Sequence, residues 1–378
     1  MCWAAAEVIR VNFVGSVAGE QVRSDITQGL TKGSKTMWSP GILRYVFMAM
    51  GHLPRPIWRN SPPAEPHEAS TWNLPAVDAV RIPMHIAITG SSGLIGTALC
   101  DRLTGNGHIV RRVVRQAGGS DTVSWDPAAG TIDAAALDGV EAVVHLAGEG
   151  IGDKRWTPAQ KDVIRTSRTL GTGLIARTMA AMPSPPSVFL SGSAIGWYGE
   201  RGDDALDETE PAGNDFLASV VKDWEAAARP ATHAGIRTVL LRTGIVLSPR
   251  GGALKRQLPV FKAGLGGRFG SGRQYQSWIS IDDEVAAIEW LLTNDVSGPV
   301  NLTAPEPVSN ATFTKALGAA LHRPTFVVPM AGPRILFGRE LADALLLTSQ
   351  NVIPKRLSDG GFSFRHRSLD SALRDLLD

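Results

Sequence analysis

The stretch Thr89-Gly90-Ser91-Ser92-Gly93-Leu94-Ile95-Gly96 decides the fold. It follows the β-branched run His85-Ile86-Ala87-Ile88 and opens an amphipathic stretch from Leu94 to Thr104, after which His108 to Val114 again reads as a strand. Strand, glycine turn, helix and strand make a βαβ unit. In that setting glycines permit a tight turn and let the backbone approach a pyrophosphate, whose charge rests on the helix N-terminus. Gly90, Ser91, Ser92, Gly93, Leu94, Ile95 and Gly96 are therefore candidate cofactor-binding residues. Glycine spacing alone says little in a chain with 40 glycines. Its place between a strand and a helix is what carries the argument.

Roughly 20 residues beyond such a turn, an acidic side chain ending the second strand holds the ribose 2′-hydroxyl of NAD. This sequence offers Arg115 there, with no Asp or Glu in the strand before Asp121. A guanidinium suits the 2′-phosphate of NADP, so NADP is the expected cofactor. Arg111 and Arg112 of the same strand read as a solvated edge.

Further apolar runs are Ala142-Val143-Val144-His145-Leu146, Ser187-Val188-Phe189-Leu190-Ser191 and Thr238-Val239-Leu240-Leu241, separated by helical stretches near 157–181 and 215–229. Runs apolar on both faces indicate a parallel sheet covered by helices. The expected fold is α/β. A Rossmann-type doubly wound parallel sheet takes residues 84–325, a small, mainly helical C-terminal domain takes 326–378, and an N-terminal extension takes 1–83. The extension holds Trp3, Trp38, Trp58, Trp72 and the run LPRPIWRNSPPAEP; Val8 to Val17 is a strand candidate within it. It reads as a poorly ordered leader or linker.

Composition narrows the function classes. An apolar fraction of 43% with 20% charged residues fits a globular chain, and a formal charge of +2 gives no reason to expect nucleic acid. Cys2 and Cys100 form neither a disulfide framework nor a metal-ligand spacing, which fits a reducing compartment. His145, His233 and His322 show no mutual spacing for a metal, and none is expected. The start MCWAAAEVIRVNF lacks a basic flank before a sustained apolar run, and no run of roughly 18 apolar residues occurs. A cytoplasmic location without membrane partners is the expectation.

Three further segments point to a family. They are Val143-Val144-His145-Leu146-Ala147-Gly148-Glu149, the run from Leu190 to Gly199 (LSGSAIGWYG), and Asp215-Phe216-Leu217-Ala218 followed by Trp224-Glu225. With the glycine turn, they make the chain resemble the NAD(P)-dependent epimerase/dehydratase family, the extended branch of the short-chain dehydrogenases/reductases. It resembles most its atypical, sugar-epimerase-like subgroup. Arg242 to Leu247, Gly270 to Gln274, Trp278-Ile279, Pro305 to Asn310 and Gln350 to Arg356 match that subgroup too, so the resemblance runs from about residue 84 to the C-terminus. It implies a cofactor along the C-terminal ends of the strands, with Leu146, Ala147, Gly148 and Glu149 over its adenine-ribose and pyrophosphate region. It also implies a small-molecule substrate between the Rossmann core and the C-terminal part, and, by analogy, a homodimer. Glu149 otherwise reads as a helix-start charge.

Enzymes of this kind use a Tyr, a Lys four residues later and a Ser that holds the substrate oxygen. Ser193 sits, by the resemblance, where the family serine does; the alternative is a satisfied loop hydroxyl. The tyrosines are Tyr45, Tyr198 and Tyr275, and four residues beyond them stand Ala49, Gly202 and Ile279. The chain thus departs from the family in having no Tyr-x-x-x-Lys pair. Tyr198 offers a hydroxyl from another direction or is a structural aromatic, and Lys222 is a ribose ligand or part of an exposed helix face. Arg242, Arg273 and Trp278 are candidates to line the pocket, each with an equally good structural role. Asp282-Asp283 reads as an N-cap and first-turn acid. Two functions follow. One is an NADP(H)-dependent epimerase- or reductase-like enzyme acting on a small polar, sugar-like or carbonyl substrate; the other is a catalytically inactive NADP(H)-binding sensor.

Overall fold

Ile86 and Ile88 of strand β1 (His85–Thr89) are wholly buried, and so is Ala87 between them. The computed structural model describes residues 83–378 except 117 and 120; the Val8 to Val17 strand and the reading of 1–82 as a poorly ordered extension lie outside the described residues. Burial on both faces recurs in the strands that flank β1 on one side. Ala142 and Val144 join one core cluster and Val143 the other, and Val188 and Leu190 oppose Phe189 in the same way. Side chains alternate across a strand, so a continuous apolar run supplies two cores at once.

The sheet comprises β1, β2 (Ile109–Val114), β3 (Thr122–Asp126), β4 (Thr131–Ile132), β5 (Ala142–His145), β6 (Val188–Ala194), β7 (Arg237–Thr243) and β8 (Gly298–Leu302). Its spatial order is β8-β7-β6-β5-β1-β2-β3-β4. Every pairing is parallel except β3 with β4. Helices α1 (Leu94–Gly105) and α4 (Ile281–Thr293) cover one face, where Leu99, Leu103, Ile288 and Leu291 meet Ile86 and Ile88. Helix α2 (Pro158–Ala181) covers the other through Leu174, Ile175 and Met179, with α3 (Phe216–Ala227) beside it. This is the doubly wound Rossmann-type sheet expected from the sequence. The chain leaves β1 for β2, β3 and β4 on one side and returns to β5 on the other, so the reversal point lies between the C-terminal ends of β1 and β5, where such folds hold ligands.

Strands β3, β4 and β8 were not foreseen, β4 being only two residues long. The segment from 326 is mainly helical, as expected, but it is sewn to the rest by strands. Phe326–Val328 pairs with Gly267–Phe269, and Asn351–Val352 with Ala205–Leu206. Arg111 is more than a solvated edge, since it donates to the carbonyls of Ala136 and Asp138 at 2.8 and 2.7 Å. The cap of α4 is Ser280, whose hydroxyl accepts from Asp283 N–H at 3.1 Å; Asp282 and Asp283 are first-turn acids only. Asp283 is buried and takes the N–H groups of Arg365 and His366 at 2.7 and 2.9 Å.

Beside Asp283, Glu284 is fully buried. Its Oε1 accepts from the Thr243 hydroxyl at 2.9 Å, while Oε2 has no partner among the described residues. Burial pushes this carboxyl up to about 8, against the opposing Thr243 hydrogen bond, so it is protonated near neutrality. A carboxyl raised in the folded state contributes stability that is full below its ordinary value of about 4.5 and lost as pH rises through about 8. Glu284→Gln removes that dependence. Thermal unfolding should show no gain for the variant at acid pH and a gain of roughly 1–3 kcal/mol in mildly alkaline buffer. A pH-independent difference would refute the burial of this charge.

Candidate functional site

Gly90 leaves β1 with φ of 66°, and a Cβ on it would lie 2.8 Å from Leu146 C and 2.9 Å from Ala147 N. A side chain is excluded both by the backbone angle and by the approach of the β5 loop. Gly96 is tighter still, because a Cβ there would stand 2.1 Å from the Gly90 carbonyl oxygen. Gly93 starts α1, donating to Gly90 O at 2.9 Å; no side chain caps the helix and no acid occupies its first turn. The first N–H groups of α1 are thus left for a ligand, and the positive end of the helix dipole faces no protein carboxylate of its own.

One hydroxyl ties the two sides of the crevice. Thr89 Oγ1 accepts from Leu146 N at 3.0 Å and Ala147 N at 3.2 Å, and lies 2.8 Å from His145 Nδ1. With both hydroxyl lone pairs filled, the Thr89 proton goes to Nδ1, which makes His145 a neutral imidazole protonated on Nε2. Burial agrees, holding this histidine down at about 3. Further along, Glu149 N donates to Ser167 Oγ at 3.1 Å, and the Glu149 carbonyl accepts from Arg168 Nη1 at 2.9 Å. Its carboxylate takes Lys154 at 3.1 Å, the main cause of its lowered pKa. Leu146 to Glu149 therefore form a fixed ledge across from the glycine turn. Arg115 follows β2, exposed and without a hydrogen bond or ion pair among the described residues.

At the end of β6, Ser193 Oγ donates to Glu225 Oε1 at 2.6 Å. Arg242, opposite Ser193 on β7, holds the same carboxylate through Nε at 2.9 Å and Nη2 at 3.1 Å. Its guanidinium stacks 4.1 Å from the centre of the Trp197 ring and donates from Nη1 to Tyr198 OH at 3.2 Å. Tyr198 OH in turn donates to Asn301 Oδ1 at 2.7 Å. Burial works against the charge on Arg242, but Glu225 outweighs it and the guanidinium lies above its ordinary value. Tyr198 is wholly buried, its hydroxyl engaged between Arg242 and Asn301. Lys222 is exposed on α3 and unpaired among the described residues.

Comparison with known proteins identifies the lineage. The profile of the NAD dependent epimerase/dehydratase family matches residues 86–303. The chain belongs to that family. A domain of unknown function, DUF1731, matches residues 328–376. An epimerase family protein of Mycobacterium bovis is 46% identical over 291 residues, which span 76% of this chain and 96% of that one. The crystal structure of the human epimerase family protein SDR39U1 with NADPH superposes with a TM-score of 0.72 at 35% identity, covering 78% of this chain and 99% of that chain. The UDP-glucose 4-epimerase of Thermotoga maritima, solved with UDP-glucose, shares the fold with a TM-score of 0.62 at 18% identity over 78% of this chain and 97% of that one.

Within this epimerase-family chain, the residues singled out in the sequence separate into two groups. The glycine turn and Leu146 to Glu149 come together around one crevice, and Ser193 stands at the end of β6 two strands away. Of the pocket candidates, Trp278 is core, donating to Glu306 O at 3.0 Å, Arg273 is exposed in its loop, and Arg242 is locked to Glu225. A cleft of about 340 Å³ opens instead at the N-terminus of α3. Trp156, Phe216 and Leu217 line it from the core and Leu347 from the C-terminal segment, with Glu200, Asp215, Glu340 and Asp343 around them. The segment 150–156 was missed in the sequence because its glycines and charges read as an ordinary loop. It is strapped down by Arg155, which donates to the carbonyls of Ile335 and Leu336, and by Arg256, which donates to the Gly152 carbonyl. Among the described residues no three His, Cys, Asp or Glu side chains converge as for a metal ion.

Gly96→Ala should force α1 away from Gly90. Calorimetric titration is expected to show nicotinamide dinucleotide affinity reduced at least about tenfold, roughly 1.4 kcal/mol, with a lowered Tm. Unchanged affinity would mean that the turn does not meet the cofactor.

Proposed function

We propose that the crevice between β1 and β5 binds NADP(H) and that the protein is an NADP(H)-dependent oxidoreductase or epimerase-like enzyme acting on a small polar substrate. The observation that carries this reading is the uncapped, acid-free start of α1 packed so closely on Gly90 that neither Gly90 nor Gly96 has room for a side chain. Pyrophosphate oxygens would accept from the N–H groups of Ser92, Leu94 and Ile95, with the ledge Leu146 to Glu149 opposite. Arg115, exposed at the end of β2, would meet the 2′-phosphate. The human relative crystallised with NADPH supports the same cofactor.

When bound, the nicotinamide supplies a carbon that accepts or donates a hydride. This chain's residues bind it, shield it and hold the substrate. Ser193 is the group proposed to touch the substrate, while the cleft beside α3 receives the remainder. Tyr198 and Lys222 take no part in this proposal, the first because its hydroxyl is engaged by both Arg242 and Asn301 and the second for its exposure without a partner among the described residues. That gap favours a second reading, an NADP(H) sensor without turnover. A cytoplasmic location and pairing into a homodimer belong to the same proposal, as does the division into an extension over 1–83, a cofactor domain over 84–325 and a C-terminal domain over 326–378. No helix among the described residues is long and apolar enough to cross a membrane.

Titration with NADPH and with NADH, followed by nicotinamide fluorescence, tests the cofactor. Arg115→Ala is expected to weaken NADPH by roughly 1.5–3 kcal/mol, the scale of a charge-assisted contact, and to leave NADH nearly unchanged. Equal losses for both would assign Arg115 another role. Cofactor binding without consumption across a panel of carbonyl compounds and nucleotide sugars would select the sensor.

A further inference from the structure

A hydroxyl has one proton to give, and in this protein the network around Ser193 determines where that proton goes. Arg242 can only donate. Asn301 is oriented by its Nδ2, which donates to Ile353 O at 3.0 Å, so its Oδ1 must accept from Tyr198 OH. Tyr198 OH therefore accepts from Arg242, and Glu225, gripped by two guanidinium N–H groups, is left as a pure acceptor. Ser193 lies 2.6 Å from that carboxylate, the separation of a charge-assisted O–H···O⁻ bond. Reversing the bond would require protonating Glu225 against Arg242 in a buried setting, where side-chain exposure is 3% for Arg242 and 8% for Glu225.

We propose that Glu225 is a positioning residue that fixes Ser193 as a hydrogen-bond acceptor, so that the substrate group received by Ser193 is a hydroxyl donor and not a carbonyl oxygen. This rests on the reading of the chain as an NADP(H)-dependent enzyme with Ser193 at its substrate. It assigns the alcohol as the form that docks directly, its proton pointing at a serine oxygen whose own proton is already committed.

The cleft at the other end of α3 has the same polarity. Its lining includes no Lys, Arg or His. Glu340 is paired with Lys161 and Asp343 with Arg334, but among the described residues Glu200 and Asp215 have only backbone partners. Glu200 accepts from the N–H groups of Gly202 and Ser349, and Asp215 Oδ1 from that of Ala218 at 2.8 Å. Such walls offer acceptors to hydroxyl donors, with the Lys161 ammonium over the Phe216 ring at 4.9 Å from its centre. Gly196, three residues past Ser193, would place a Cβ 3.5 Å from Leu217 of the cleft wall, so both features lie along one seam between β6 and α3, about 12 Å of helix apart.

The experiment uses the full-length protein saturated with NADP⁺ and two redox-inert probes of similar shape. One is methylcyclohexanol in its tertiary form, which has no carbinol hydrogen to lose; the other is cyclohexanone, which is already oxidised. Binding is measured by saturation-transfer NMR. The alcohol is expected to bind about tenfold more tightly than the ketone, and Ser193→Ala to bring the ratio to about one. Glu225→Asp keeps a carboxylate for Arg242 but withdraws it by one methylene from Ser193, and should shrink the ratio. A carboxylate needed only for folding would lower both affinities together and leave the ratio intact. Tighter binding of cyclohexanone to the wild type, or a ratio unmoved in Ser193→Ala, overturns the proposal. NADP⁺ titrated beforehand into the cofactor-free protein separates the two levels: absent cofactor binding in the wild type sinks the enzyme reading, whereas bound cofactor with an unmoved ratio sinks only the role of Glu225.

Discussion

Where the chain crosses from one half of the sheet to the other, the Thr89 hydroxyl holds three neighbours. It takes the N–H groups of Leu146 and Ala147 and gives its proton to a buried, uncharged His145. Parallel strands side by side share backbone hydrogen bonds only within their ladder, and beyond it the loops are free to diverge. The Thr89 contacts extend the β1–β5 attachment past the ladder and set the height of the ledge above the glycine turn. Gly90 then has no room for a side chain, because that ledge has been pulled down onto it. The crevice width, the helix start and the path of residues 146–149 all follow from this one junction.

The sheet and the glycine turn beside the crevice were legible in the sequence for a local reason. A strand, a glycine turn and a helix are contiguous, and buried strands declare themselves by apolar runs such as Ala142-Val143-Val144. Edges and closures were less legible. β4 has two residues, and its pairing with β3 shows no period that a short polar stretch such as Gly130-Thr131-Ile132 could betray. The capping role of Ser280 was masked by the more conspicuous Asp282-Asp283 pair beside it. The strap at 150–156 depends on partners some 100 to 180 positions away, as Arg256 and Arg155 show, and no local pattern encodes those.

The network around Ser193 was the least legible part, and the geometry explains why. A search for a tyrosine with a lysine four residues on asks a sequence question, whereas Ser193, Glu225, Arg242 and Asn301 answer through three strands and a helix. Trp224-Glu225 was visible as a family motif without a role. In the structure Trp224 donates to Thr172 Oγ1 at 2.9 Å, and only a glycine at 192 lets its ring lie against β6, where a Cβ would come within 2.8 Å. That anchoring presents the next residue, Glu225, to Ser193. The tyrosine has become a rivet between Arg242 and Asn301, and a buried hydrogen-bond network of this kind specifies a single arrangement because any misaligned member leaves a polar group unsatisfied.

Asp283 belongs to the first turn of a helix that covers the central sheet, yet the donors that satisfy it come from Arg365 and His366, near the end of the chain. Ser277 likewise gives its proton to Gln350 O and accepts from Val352 N. These partners lie 73 to 83 positions further along the chain. Without them the core helix has an acid that must stay hydrated and the sheet margin has hydroxyls unmet, so the central domain can collapse but not close. The segment around 350–366 is in this sense a buckle: take Arg365 and His366 away from Asp283 and the first turn of α4 is left with a buried carboxylate whose backbone donors are gone.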